Sequence, residues 1–198
     1  MNKNEIESYA SLVLKTFSPN TFGDLIPADC PDLQGSLWGI EVTQAITPED
    51  GEINKLTSKI SKTGDVDCIS KKHVLKKYGI VTYLNERGTL LAVSSNNGIG
   101  ALIDEQKTLH SLDIKLRKLN NGLYNKLPNY GLFIYSDMYS PNDNPCNQEE
   151  LLIKMQKMSE KYLLRYSNIF LLDLEGNFFI FDLIKNKIET YLEYTTNI

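Results

Sequence analysis

The sequence predicts an α/β fold in which a central mixed β-sheet is flanked by helices. Three observations predict it. Residues 28–33 and 37–43 bracket Gly35-Ser36, a turn pair, and read as the two arms of a hairpin. Tyr130 to Tyr135 is a continuous apolar run that suits a central strand covered on both faces. Around these strands lie long segments whose apolar residues recur at three- and four-residue spacing, as in amphipathic helices.

The elements follow in order. Glu5 to Phe17 is predicted helical, with Ile6, Tyr9, Ala10, Val13 and Phe17 on one face, Asn4 as N-cap and Ser18-Pro19-Asn20 as the stop. Phe22 to Ile26 reads as a short strand, and the hairpin follows. Thr47-Pro48-Glu49-Asp50 has a helix-start pattern, a Thr cap followed by Pro and acids in the first turn. That helix should run to about Ile60 and carry the lysine row Lys55, Lys59 and Lys62. Residues 71–78 form a basic run with Val74, Leu75 and Tyr78 interleaved, and residues 79–84 and 90–94 read as a second hairpin. The segment from about 64 to 98 therefore looks like an insertion within a single domain spanning 1–198. A helix from about Gly100 to Leu119 has Leu102, Leu109, Leu112, Leu116 and Leu119 as its apolar stripe, a polar flank of Thr108, Ser111, Lys115 and Lys118, and Gly122 as the stop beyond it. After the Tyr130 strand, Gln148 to Tyr166 is predicted helical, with Leu151, Leu152, Met155, Met158, Tyr162 and Leu163 inward. Residues 168–174 and 177–183 form a last hairpin through Glu175-Gly176, and 187–194 add a final strand.

Composition excludes several classes. No apolar run approaches the ~20 residues of a membrane-spanning helix. The first residues lack the basic and apolar regions of a signal peptide, so a cytoplasmic protein is expected. Cys30, Cys68 and Cys146 are scattered, with no CxxC pair to suggest zinc or a disulfide framework. His73 and His110 are the only histidines and form no HExxH arrangement, which argues against histidine-centred chemistry. A net charge of −4 argues against strong non-specific duplex binding, because phosphate contacts supply most of that affinity.

The hairpin carries the chemistry. With its turn near Ser36, Asp32 lies across the ladder from Glu41. Facing side chains there sit roughly 4.5–5.5 Å apart at Cβ. Two carboxylates at that spacing repel unless a cation lies between them. Strand alternation sends Ile40 and Val42 to one face and Glu41 and Thr43 to the other. An ordinary amphipathic hairpin with one solvated face would show the same alternation.

Pro31-Asp32, followed after eight residues by Glu41-Val42-Thr43, resembles the motif of the PD-(D/E)xK nuclease-like superfamily. Gly39-Ile40-Glu41-Val42-Thr43-Gln44-Ala45 is similar to a Gly-Ile-Glu-Val-Thr-type string in an uncharacterised bacterial branch of that superfamily. The specific match covers about fourteen residues, and the order of later elements extends it weakly. The resemblance implies a restriction-endonuclease-like core and metal-dependent hydrolysis of phosphodiester bonds, with DNA favoured over RNA. It implies Mg²⁺ or Mn²⁺ held by Asp32, Glu41 and the carbonyl of Val42, with an acid from the first helix, Glu7 ahead of Glu5. Those two acids would also complement the positive N-terminus of their helix.

One departure from the motif stands out: Thr43 occupies the lysine position. Thr43 carries no charge, and Gln44 points to the face of Ile40 and Val42. Lys115, then Lys118, are the candidates for a lysine displaced to the next helix. The catalytic set is therefore Asp32 and Glu41 with Thr43 or Lys115. Lys71, Lys72, Lys76 and Lys77 are the candidate nucleic-acid contacts, although a solvated helix would be equally basic. The missing lysine and acidic balance also fit an alternative, a catalytically inactive nuclease-fold binding or interaction domain. A homodimer is left open, and no membrane partner is expected.

Overall fold

The computed structural model describes residues 3–45, 80–84, 90–95, 101–136, 145–173, 176–192 and 194. The chain divides into two compact units, Met1–Ala45 with Ala101–Ile198, and Ile46–Gly100. The second unit thus starts earlier than the segment 64–98 expected as an insertion.

In the first unit the described elements are α1 (Lys3–Phe17), α2 (Pro19–Phe22), β1 (Ile26–Pro27), β2 (Leu33–Gln34) and β3 (Trp38–Gln44). In the second unit, β4 (Ile80–Leu84) and β5 (Leu90–Ser95) pair as an antiparallel hairpin with a register shift between Tyr83 and Leu84. The first unit resumes with α3 (Ala101–Leu119), β6 (Asn129–Tyr135), α4 (Pro145–Ser159), β7 (Asn168–Leu172), β8 (Phe178–Asp182) and β9 (Lys187–Tyr191). The helix expected from Thr47 with its lysine row, and the basic run 71–78, lie outside the described residues. No helix among the described residues is long and apolar enough to cross a membrane.

The first unit is a mixed sheet of seven described strands in the order β1-β2-β3-β6-β7-β8-β9. The three central strands β3, β6 and β7 are parallel, and the flanking pairs are antiparallel. Parallel neighbours need crossovers, and α3 and α4 supply them. Both crossovers step across the sheet in the same direction, so a constant hand puts both helices on one face. α1 covers the other.

Strand alternation sorts the core into two sides. Ile40, Val42, Phe133, Phe170, Phe178 and Ile180 pack with Ile6, Ala10, Val13 and Leu14 of α1. Leu132, Ile134, Ile169, Leu171, Phe179 and Phe181 pack with Leu112, Leu116 and Leu119 of α3 and Leu151, Leu152 and Met155 of α4. Phe170 and Phe178 stack on the α1 side with ring centroids 6.3 Å apart. The face of β3 that carries Glu41 is therefore covered by helix, not solvated as in a plain amphipathic hairpin.

Three elements differ from the sequence expectation. The chain after Ser18 starts a new helical turn, and the strand expected at 22–26 is reduced to Ile26–Pro27. Pro19 cannot continue α1, but its missing N–H is harmless at the first position of α2. The first hairpin arm is a strand only at Leu33–Gln34, with 28–32 forming a turn in which the Ala28 amide donates to the Asp32 carbonyl at 2.8 Å. The helix expected to reach Tyr166 stops at Ser159. Leu163, expected inward, is consequently 93% exposed. Asn120 holds the chain there instead, donating to the Leu164 carbonyl at 2.9 Å and accepting its amide at 2.9 Å.

Gly39 shows how tightly the hairpin is set. A Cβ on Gly39 would come within 2.6 Å of Pro31 Cγ and 2.7 Å of Leu127 Cδ1. The residue before Asp32 thus rests directly on the strand that carries Glu41. Gly39→Ala is expected to destabilise the protein by ~1–3 kcal/mol through overpacking, measured by urea unfolding. An unchanged midpoint would mean that Pro31 and Leu127 move aside freely.

Candidate active site

The hairpin register pairs Leu33 with Ile40 and Gln34 with Gly39. One step further along this antiparallel ladder, Asp32 comes opposite Glu41. The two side chains are reached differently. Asp32 sits just before β2 and turns its carboxylate back to β3, where Oδ2 accepts the Val42 amide at 2.8 Å. Glu41 lies mid-strand and projects toward α3, because its neighbours Ile40 and Val42 pack on the α1 side. Both acid side chains have 0% exposure.

α3 brings the cations. Lys115 Nζ donates to Glu41 Oε1 at 2.6 Å and to the Val42 carbonyl at 3.1 Å, and lies 4.0 Å from Asp32 Oδ2. Lys118 Nζ donates to the same Glu41 Oε1 at 2.6 Å. The lysines are three residues apart, so they share a helix face. Ser111, one turn earlier, donates to the Gln44 carbonyl at 3.0 Å. The polar flank of α3 thus follows β3 from Gln44 down to Glu41. Exposure rises outward, from none at the acids to 17% at Lys115 and 33% at Lys118.

The other oxygen of Glu41, Oε2, accepts the hydroxyl of Tyr124. Tyr124 lies beyond Gly122, a glycine with φ of 84° where α3 gives way to the loop leading into β6. This loop is stitched to the Asp32 turn. Asn125 donates to the Gln34 side chain at 3.0 Å, and Gln34 donates to the Cys30 carbonyl at 2.9 Å. Tyr166 supports α3 from below by donating to the Lys115 carbonyl at 3.0 Å. Tyr166 also lines a cavity of about 660 Å³ between the end of α4 and the starts of β6 and β7, away from the acid pair.

The electrostatics follow from this packing. Burial opposes the charge on Lys118, but the hydrogen bond and charge of Glu41, with Asp32 behind it, outweigh burial and raise its pKa. Burial pushes the Tyr124 phenol well above its usual range, and Tyr166 and the Glu41 carboxylate push it further. Burial, then the charge of Glu41, does the same to Tyr166. Tyr124 therefore remains a hydrogen-bond donor to Glu41. Two buried acids face two lysines, so the formal charges of the cluster balance.

The structure gathers Asp32, Glu41, the Val42 carbonyl, Lys115 and Lys118. It does not gather every candidate residue. Thr43 donates its hydroxyl to the Gln44 carbonyl at 3.4 Å, and the cationic place beside Glu41 is filled by Lys115 and Lys118. Glu7 and Glu5 belong to α1, which packs over the opposite face of β3. Among the described residues no three His, Cys, Asp or Glu side chains form a metal-binding group. The oxygen donors that do converge are two carboxylates and one main-chain carbonyl. Lys71, Lys72, Lys76 and Lys77 lie outside the described residues. Sequence reasoning missed Tyr124. Its only local signal is a position just past a helix-terminating glycine, on the way into a buried strand.

The chain matches no family model, no curated protein and no solved structure.

Two outcomes test this arrangement. Tyr124→Phe removes a donor from a buried carboxylate and is expected to cost about 1–3 kcal/mol of stability in urea unfolding. In an alkaline absorbance titration, the native protein should hold at least two phenols, those of Tyr124 and Tyr166, un-ionised well above about pH 10, where free tyrosine titrates. Tyr124→Phe and Tyr166→Phe should leave the native-state absorbance rise unchanged. A smaller rise in either variant would show that phenol to be accessible.

Proposed function

We propose that the protein is a metal-dependent, nuclease-like phosphodiester hydrolase with a restriction-endonuclease-like core, acting on DNA. One observation carries the reading: the Lys115 ammonium stands where oxygens of Glu41, Val42 and Asp32 converge, at 2.6, 3.1 and 4.0 Å. A cation already occupies the meeting point of three oxygens. Two carboxylates and a carbonyl are a hard donor set, which suits Mg²⁺ or Mn²⁺ and not a soft metal. The residues therefore fit the divalent ion that the sequence resemblance implies.

Bound to these oxygens beside the Lys115 ammonium, such an ion would act as a Lewis acid and lower the pKa of a coordinated water. Asp32, Glu41 and the Val42 carbonyl would hold it. The rest of the chemistry belongs to this chain's own side chains. The Val42 amide keeps Asp32 Oδ2 directed toward the site, and Tyr124 keeps Glu41 Oε2 from turning away. Lys115 supplies the positive charge that Thr43 cannot. Reaching the acids from the next helix, it would orient the attacking water and offset charge developing on the phosphate. The preference for DNA rests on the sequence resemblance alone.

A second reading is a catalytically inactive nuclease-fold binding or interaction domain. It is favoured by the full burial of both acids and their balance by two lysines, an arrangement that is electrostatically complete without a metal.

Labelled single- and double-stranded DNA and RNA, incubated with Mg²⁺ or Mn²⁺, separate the two. The hydrolase reading expects cleavage of DNA by the wild type, reduced at least ~100-fold in Asp32→Ala and in Lys115→Met, a loss in the range of a deleted electrostatic catalytic group. Cleavage that survives in Asp32→Ala would overturn the assignment. Wild-type protein that cuts no substrate with any divalent metal would leave the binding domain as the function.

A further inference from the structure

The site holds one more cation than the proposed chemistry uses. Glu41 Oε1 accepts both ammonium groups, each at 2.6 Å. Their remaining contacts differ. Lys115 is also tied to the Val42 carbonyl and stands near Asp32 Oδ2, and its side chain is 17% exposed. Among the described residues Lys118 makes its one hydrogen bond to Glu41 Oε1, with the face of the Tyr124 ring 5.5 Å away and the side chain 33% exposed. Lys118 is thus the outer and more lightly held of the two.

Charge balance gives this asymmetry a consequence. Two buried carboxylates and two ammonium groups sum to about zero. Adding a divalent cation would leave a strongly positive cluster in a poorly solvated place, which is unfavourable unless a positive charge leaves or an anion enters. A long flexible lysine near solvent can leave at little structural cost.

We propose that Lys118 is an exchangeable counter-ion: it neutralises Glu41 in the metal-free protein, and it gives up Glu41 Oε1 when a divalent cation enters. Lys115 stays in place beside Glu41. This rests on the metal-binding reading of the site and adds its regulation. Metal binding and the Lys118–Glu41 pairing become one linked equilibrium, so each opposes the other by the same factor. The released ammonium, still on the solvent side of the cluster, is available to an incoming phosphate, and a bound phosphodiester would then promote metal loading.

Mn²⁺ binding to the 198-residue protein, without nucleic acid, tests the proposal by calorimetry. Lys118→Met should bind Mn²⁺ at least ~10-fold more tightly than the wild type, a change of about 1.4 kcal/mol. Equal or weaker binding in Lys118→Met would overturn the exchange while leaving the metal site intact. A second measurement needs no variant. Reductive methylation of the wild type, read by peptide mass spectrometry, should label Lys118 faster once Mn²⁺ is added, with Lys115 unchanged. Unchanged or slower labelling of Lys118 at saturating Mn²⁺ would also overturn it. If the wild type, Lys118→Met and Asp32→Ala all give no Mn²⁺ heat, the metal reading itself fails, and this proposal fails with it.

Discussion

Glu41 is a charged side chain with no exposed surface, placed in the middle of a parallel strand, and much of the structure answers to that fact. An isolated carboxylate in such a place is strongly unfavourable unless it is paired and hydrogen-bonded. Here one oxygen receives two ammonium groups and the other receives a phenol. Asp32 is buried beside it with the Val42 amide on Oδ2. Four segments must therefore be in place together: the Asp32 turn, β3, the polar flank of α3, and the loop that carries Tyr124. A one-residue slip of β3 would turn Glu41 into the α1 side of the core and leave the lysines without their partner.

Topology supplies those segments. The crossover from β3 to β6 lays α3 against the face of β3 that bears Glu41, and its lysines arrive at the correct height because Ser111 is already tied to Gln44. The same arrangement puts α1 on the other face. That placement separates the acids of α1 from Asp32 and Glu41, and it explains why the converging donors are two carboxylates and a carbonyl. Gly39 completes the frame, since only a residue without Cβ lets Pro31 and Leu127 close over the strand.

Much of this was legible in the sequence where the signal is local. The pairing of Asp32 with Glu41 follows from turn chemistry and strand alternation, and the structure places both at one cluster. Helical spacing put Lys115 and Lys118 on a polar flank, and the resemblance to the nuclease-like motif is what made them candidates for its displaced lysine. Legibility failed where local pattern and tertiary packing diverge. The apolar spacing of α4 continues beyond Ser159, yet the chain leaves the helix, and Asn120 binds Leu164 in its place. Tyr124 belongs to no periodic pattern, so nothing adjacent in the chain marks it as a partner of Glu41.

The sequence by itself determined the α/β class, the hairpin, and the placing of Asp32 opposite Glu41, because alternation and helical spacing are properties of neighbouring residues. Only the tertiary structure decided that the acid-bearing face is buried, that the lysine beside Asp32 and Glu41 comes from α3, and that a tyrosine closes the cluster. Those outcomes depend on which helix covers which face of the sheet. That is settled by the hand and direction of the crossovers and by the need to pair every buried charge, neither of which is written in any short stretch of chain.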